Sequence, residues 1–200
     1  MFAYSSLPVH LAISTLEPLS CTTLTAMRQH FPLAVDRRKV EQVICPPGSL
    51  VTCTTDSHIP VRPLHASFYN FLTDKMRSNA FFVDVSSAQR HLVFASLGVL
   101  KQQLRFNICT LKSSYLPNSA VLDLEDRVKE SISVELSYSC RFLGGHIDAT
   151  SVERPLVEEV KAFFDDERLL FWLEVVSLLK VVGGAVATLS CIANWLAVSY

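Results

Sequence analysis

The chain has 200 residues, half of them hydrophobic and 18% charged, with a formal net charge of −1. That length can bury the core of one domain or two small ones, and the composition argues against wholesale disorder. A general nucleic-acid or membrane-surface binder would carry a basic excess, which is absent here.

Residues 1–16 lack a basic stretch followed by a long apolar run, so no secretory signal is expected. The first forty residues read as helix, turn, helix. Pro8 can open a first stretch carrying Leu11, Ile13, Leu16 and Leu19, and a second, over residues 22–30, is ended by Pro32. A β-like passage follows: Val43-Ile44-Cys45, a Pro46-Pro47-Gly48 turn, and the β-branched residues 50–55. Residues 59–64 are extended around Pro60 and Pro63. Short helices and a small hairpin predict a winged-helix-like α+β unit over residues 1–75.

From His65 onward the pattern turns helical. Phe68, Phe71 and Leu72 share a face, and Ser86 or Ser87 can cap a helix lined by Val93, Leu97, Leu100 and Leu104. A loop with Pro117 and Asn118 leads to a charged helix over residues 123–130. Ser133 can cap the next, striped by Leu136, Cys140 and Leu143. Gly144-Gly145 predicts fraying or bending there, each glycine costing ~1 kcal/mol in a helix interior. His146 reads as a helix-surface residue. Pro155 suits the first turn of a helix carrying Leu156, Val160, Phe163 and Phe164. Leu169, Trp172, Leu173, Val176 and Leu179 then form a broad stripe, and Phe163, Phe164, Phe171 and Trp172 read as core. The fold class is mainly α: the winged-helix-like unit followed by a helical array over residues 76–200.

Chemistry-bearing motifs are missing. There is no GxxxxGK(S/T) phosphate loop, GxGxxG, GxSxG or HExxH, so no catalytic site and no cofactor are expected. The six cysteines are scattered without a CxxC, and Cys45, Cys53, His58 and His65 match no common zinc spacing. Free thiols in a reducing, cytoplasmic setting are expected, with no metal. Asp165 and Asp166 point about 100° apart on a helix, which suits a cap better than an acid–base pair.

One run carries more information: Pro63-Leu64-His65-Ala66-Ser67-Phe68-Tyr69-Asn70-Phe71-Leu72-Thr73-Asp74. It resembles the LHxSFxxFL signature of fungal, basidiomycete-type NACHT signal-transduction ATPases, NLR-like proteins often followed by WD repeats. The resemblance continues in order through Phe81-Phe82-Val83-Asp84, Asn107-Ile108-Cys109, residues 114–118, residues 136–142 and residues 164–179. It spans residues 59–196, and residues 1–58 match only loosely. It departs at Leu143-Gly144-Gly145-His146, where the family usually has an aromatic before the histidine. The resemblance implies a winged-helix end and a following helical domain, acting as a non-catalytic regulatory and interaction module. The P-loop core and the repeat sensor of that family have no counterpart in these residues. It also implies a nucleotide-sensing role for His65 in a full-length context, as in the plant MHD motif, where a histidine donates to an ADP phosphate in the resting state. The residues by themselves read His65 as ordering the turn into the helix. Protein partners, or the ATPase and repeat domains, are the expected contacts, with no nucleic acid and no membrane.

Two rival readings are open. Arg28 and Arg37-Arg38-Lys39 would serve a DNA-binding winged helix. The uncharged residues 181–198 would serve a tail anchor, although a spanning helix needs ~20 apolar residues and a buried helix is the favoured expectation.

Overall fold

The computed structural model describes Ser20, Thr23, Met27 and residues 63–198, except Ser114 and the side chain of Ala80. Apart from Ser20, Thr23, Met27 and the stretch beginning at Pro63, the winged-helix-like unit, with the Arg28 and Arg37-Arg38-Lys39 cluster, therefore lies outside the described residues. The described residues are mainly helical, with eight α-helices and no strand among them. Contacts divide the chain into two compact units, Met1–Ala95 and Ser96–Tyr200. The expected boundary at residue 75 falls inside the first unit.

In the first unit, α1 spans Ala66–Thr73 and ends at Asp74. Asp74 starts the next helix, its Oδ1 accepting the N–H groups of Met76 and Arg77 at 2.9 and 3.3 Å to cap α2, Lys75–Ser78. A 3₁₀ turn, Asn79–Phe81, follows. The Val83 N–H then donates to the Leu72 carbonyl at 2.8 Å, laying the chain back along α1. Helix α3, Val85–Gln103, begins in this unit and runs on past Ala95, so that Ser96–Gln103 belong to the second; it is capped by Asp84, whose Oδ1 accepts the Ser87 N–H at 3.3 Å. Ser86 and Ser87 therefore lie inside its first turn. A carboxylate ahead of the helix takes the orphan amide that a serine was expected to take.

In the second unit, α4 spans Leu124–Ser131, α5 Val134–Asp148, α6 Arg154–Phe164, α7 Arg168–Leu178 and α8 Ala185–Ala197. Ser133 caps α5 as expected: its Oγ accepts the Leu136 N–H at 3.2 Å and donates to Gln103 Oε1 at 2.7 Å. Leu136, Cys140, Leu143 and Ile147 of α5 are buried, and α7 and α8 both pack on this helix. Pro155 sits in the first turn of α6. Helix α7 closes with Lys180 in the left-handed region (φ 60°), the Lys180 N–H donating to Ser177 O and the Val181 N–H to Val176 O. That is the Schellman arrangement, with lysine in the position glycine usually fills.

The fraying expected at Gly144-Gly145 does not occur, and α5 runs unbroken to Asp148. A Cβ at Gly144 would lie 2.8 Å from Thr188 Cγ2 and 3.2 Å from Thr188 Cα. The glycine is there because α8 crosses at that point, and helix packing offsets its propensity cost.

The uncharged segment folds as a 3₁₀ turn, Val182–Gly184, and the 13-residue α8. Ala185, Ile192 and Trp195 are buried, while Val186 and Val198 are exposed. Among the described residues, no helix is long and apolar enough to cross a membrane.

Candidate functional site

His65 lies immediately before α1 with an extended backbone (φ −143°, ψ 139°). The Ser67 N–H donates to His65 Nδ1 at 3.1 Å, and the Ser67 hydroxyl lies 2.8 Å from the same nitrogen. An Nδ1 that accepts a backbone amide carries no proton, so in the neutral ring Nε2 is the N–H donor. The side chain is exposed. Helix capping thus fixes the ring and leaves one donor for an outside acceptor.

His146, expected on a helix surface, is buried, with 1% of its surface exposed. Its Nε2 lies 2.8 Å from the Tyr138 hydroxyl, and burial pushes its pKa down to about 4. Tyr138, Phe142 and His146 follow one another at i, i+4 spacing, and the Tyr138 ring lies 4.9 Å from Phe142 and 5.6 Å from His146. The spacing was a readable signal for this stack. The burial was not, because it depends on packing from outside the helix. The polar backbone nearby is satisfied from other elements. The Thr150 hydroxyl donates to His146 O at 2.7 Å, Trp195 Nε1 to Thr150 O at 2.9 Å, and Trp172 Nε1 to Cys140 O at 3.1 Å. The hydroxyls of Ser96 and Ser139 are buried without a partner.

A cleft of about 200 Å³ opens between α5, α7 and the start of α8, walled by Phe142, Trp172, Val176, Val181 and Ala185, with Arg141 and Thr188 among its lining. The lining contains no acid–base pair. Phe163 and Trp172 are core, as expected, whereas Phe164 and Phe171 are only half-buried. Cys109, Cys140 and Cys191 are free thiols. Burial pushes all three thiols up, that of Cys191 with help from Asp148, so none is poised as a nucleophile. Cys45, Cys53 and His58 lie outside the described residues, among which no group of three His, Cys, Asp or Glu side chains could hold a metal ion.

A densely tied polar assembly surrounds residues 107–111. Asn107 and Thr110 both have positive φ, 50° and 48°. The two oxygens of Glu174, on α7, accept the N–H groups of Asn107 and Ile108 at 3.1 and 3.2 Å. Asn107 Oδ1 accepts the Leu111 N–H at 2.7 Å, and Asn107 Nδ2 donates to Leu111 O at 3.0 Å. From α4, Arg127 Nη1 donates to the carbonyls of Cys109 and Thr110 at 3.4 and 3.1 Å, while its Nε donates to Asp123 at 2.8 Å. Sequence reasoning had not connected Glu174 or Arg127 to this loop, since both lie far from it along the chain.

Comparison with protein-family models, with curated proteins and with solved structures finds no match for this chain.

Proposed function

We propose that this chain is a non-catalytic regulatory and interaction module of a NACHT-type, NLR-like signalling ATPase. On this reading residues 1–75 are a winged-helix-like remnant, residues 76–200 a helical domain, and the working compartment the cytoplasm. Its partners are proteins, or the ATPase and repeat domains of such a receptor.

The observation that supports the reading is the state of His65 within the run Pro63 to Asp74. Its Nδ1 is occupied in capping α1, so Nε2 is the donor on an exposed ring. A donor held in this way suits an ADP phosphate supplied by a nucleotide-binding core, and its loss would favour the open, oligomeric state.

The test is made in an intact receptor that carries this signature, with the matching histidine replaced by alanine. Hydrogen bonds to charged groups contribute about 1.5–3 kcal/mol, so ADP affinity should fall roughly tenfold to a hundredfold, with a shift toward oligomers. Unchanged ADP release would leave His65 as a turn residue only. By calorimetry the present chain should bind no ATP, and micromolar binding with phosphate release would overturn the non-catalytic reading.

A further inference from the structure

Residues 107–111 combine strain with ties that come from elsewhere in the fold. A non-glycine residue in the left-handed region is uncommon, and a β-branched one such as Thr110 is a genuine outlier. Such conformations persist only where the surroundings over-determine them. Here three anchors do so: the Glu174 carboxylate on α7, the Arg127 guanidinium on α4, and the Asn107 side chain closing on Leu111. Glu174 alone neutralises two successive amides, and one of them belongs to the buried Ile108. Cys109, the next residue, is fully buried.

We propose that residues 107–111 are a sprung loop latched by Glu174, which opens as a unit while the surrounding helices stay folded and so uncovers the Cys109 thiol. The physical basis is local. When the loop opens, Asn107 and Thr110 relax to negative φ, which repays part of the lost hydrogen bonding, whereas a helix gains nothing comparable by fraying. Local opening of this kind has its own free energy, below that of global unfolding. Cys140, equally buried, lies on α5 at the cleft beside Trp172 and Val176, away from residues 107–111, and it serves as the internal reference. The inference does not rest on the regulatory reading and stands or falls without it.

The experiment is native-state alkylation of the full chain by iodoacetamide, with each cysteine followed by peptide mass spectrometry, alongside amide hydrogen exchange. In the unmodified protein Cys109 should label at least tenfold faster than Cys140, at a rate nearly independent of low urea, because local opening exposes little new surface. Glu174→Ala should speed Cys109 labelling and exchange at residues 107–111 by a further tenfold or more, leaving Cys140 unchanged. Glu174→Gln keeps the side-chain volume and one acceptor and should give an intermediate rate, so the idea can be tested even if the alanine variant fails to fold. Thr110→Asn places a residue tolerant of positive φ at the strained position and should slow Cys109 labelling several-fold. Equal, urea-dependent labelling of Cys109 and Cys140 would overturn the proposal. So would a Glu174→Gln variant with unaltered Cys109 labelling.

Discussion

At 1% exposure the His146 imidazole has little water to solvate a positive charge, and burial lowers its pKa from 6.5 to about 4. As pH falls, the unfolded chain takes up this proton near 6.5 and the folded chain only near 4. The stability contributed by the neutral ring is therefore complete above pH 6.5 and is lost progressively between 6.5 and 4, amounting to about 3 kcal/mol. Urea midpoints measured across that window should fall accordingly, and His146→Gln, which cannot titrate, should flatten the slope. A slope unchanged by the substitution would mean other groups carry the acid sensitivity. Capping residues such as Ser133 were legible because they act on amides two or three positions away. The environment of His146 was not, because it is set by elements remote in sequence.

Helix α5 shows the same division at the next scale. The stripe Leu136, Cys140, Leu143 and the Ser133 start could be read from spacing, but Gly144 could not, because its reason is Thr188 on α8. Gly144→Ala gains ~1 kcal/mol of intrinsic helix propensity. It also places a methyl 2.8 Å from Thr188 Cγ2 and 3.2 Å from backbone, and such overpacking costs about 1–3 kcal/mol. Net destabilisation by chemical denaturation is the expected outcome, partly recovered by adding Thr188→Ala. A more stable Gly144→Ala protein would mean that α8 can move away freely. Helix α7 illustrates another limit. Its sequence is apolar on nearly every side, so periodicity could not select the inner face. Trp172, Val175, Val176 and Leu178 are buried, while Leu169, Leu173 and Leu179 are half-buried.

At the scale of the molecule, the mainly helical class followed from pattern and composition. The division of the chain at Ala95 did not, since it falls within α3, an unbroken helix with no turn residue to mark it. Within the second unit Trp172 joins α7 to α5 through both its buried ring and its bond to Cys140 O. Trp172→Ala should destabilise that unit by about 3–5 kcal/mol, the range for removing a buried aromatic. A change within ~0.5 kcal/mol, as at an ordinary surface site, would show that the ring is not part of the core. The chain's other tryptophan, Trp195, is buried too and donates its indole N–H to Thr150 O, just beyond the end of α5. All indole light from this protein thus originates at two docking points, one within α5 for α7 and one just past its C-terminal end for α8. The emission of the folded chain should be blue-shifted. With Trp195→Phe or Trp172→Phe in turn, its red shift becomes a separate optical clock for the release of each helix.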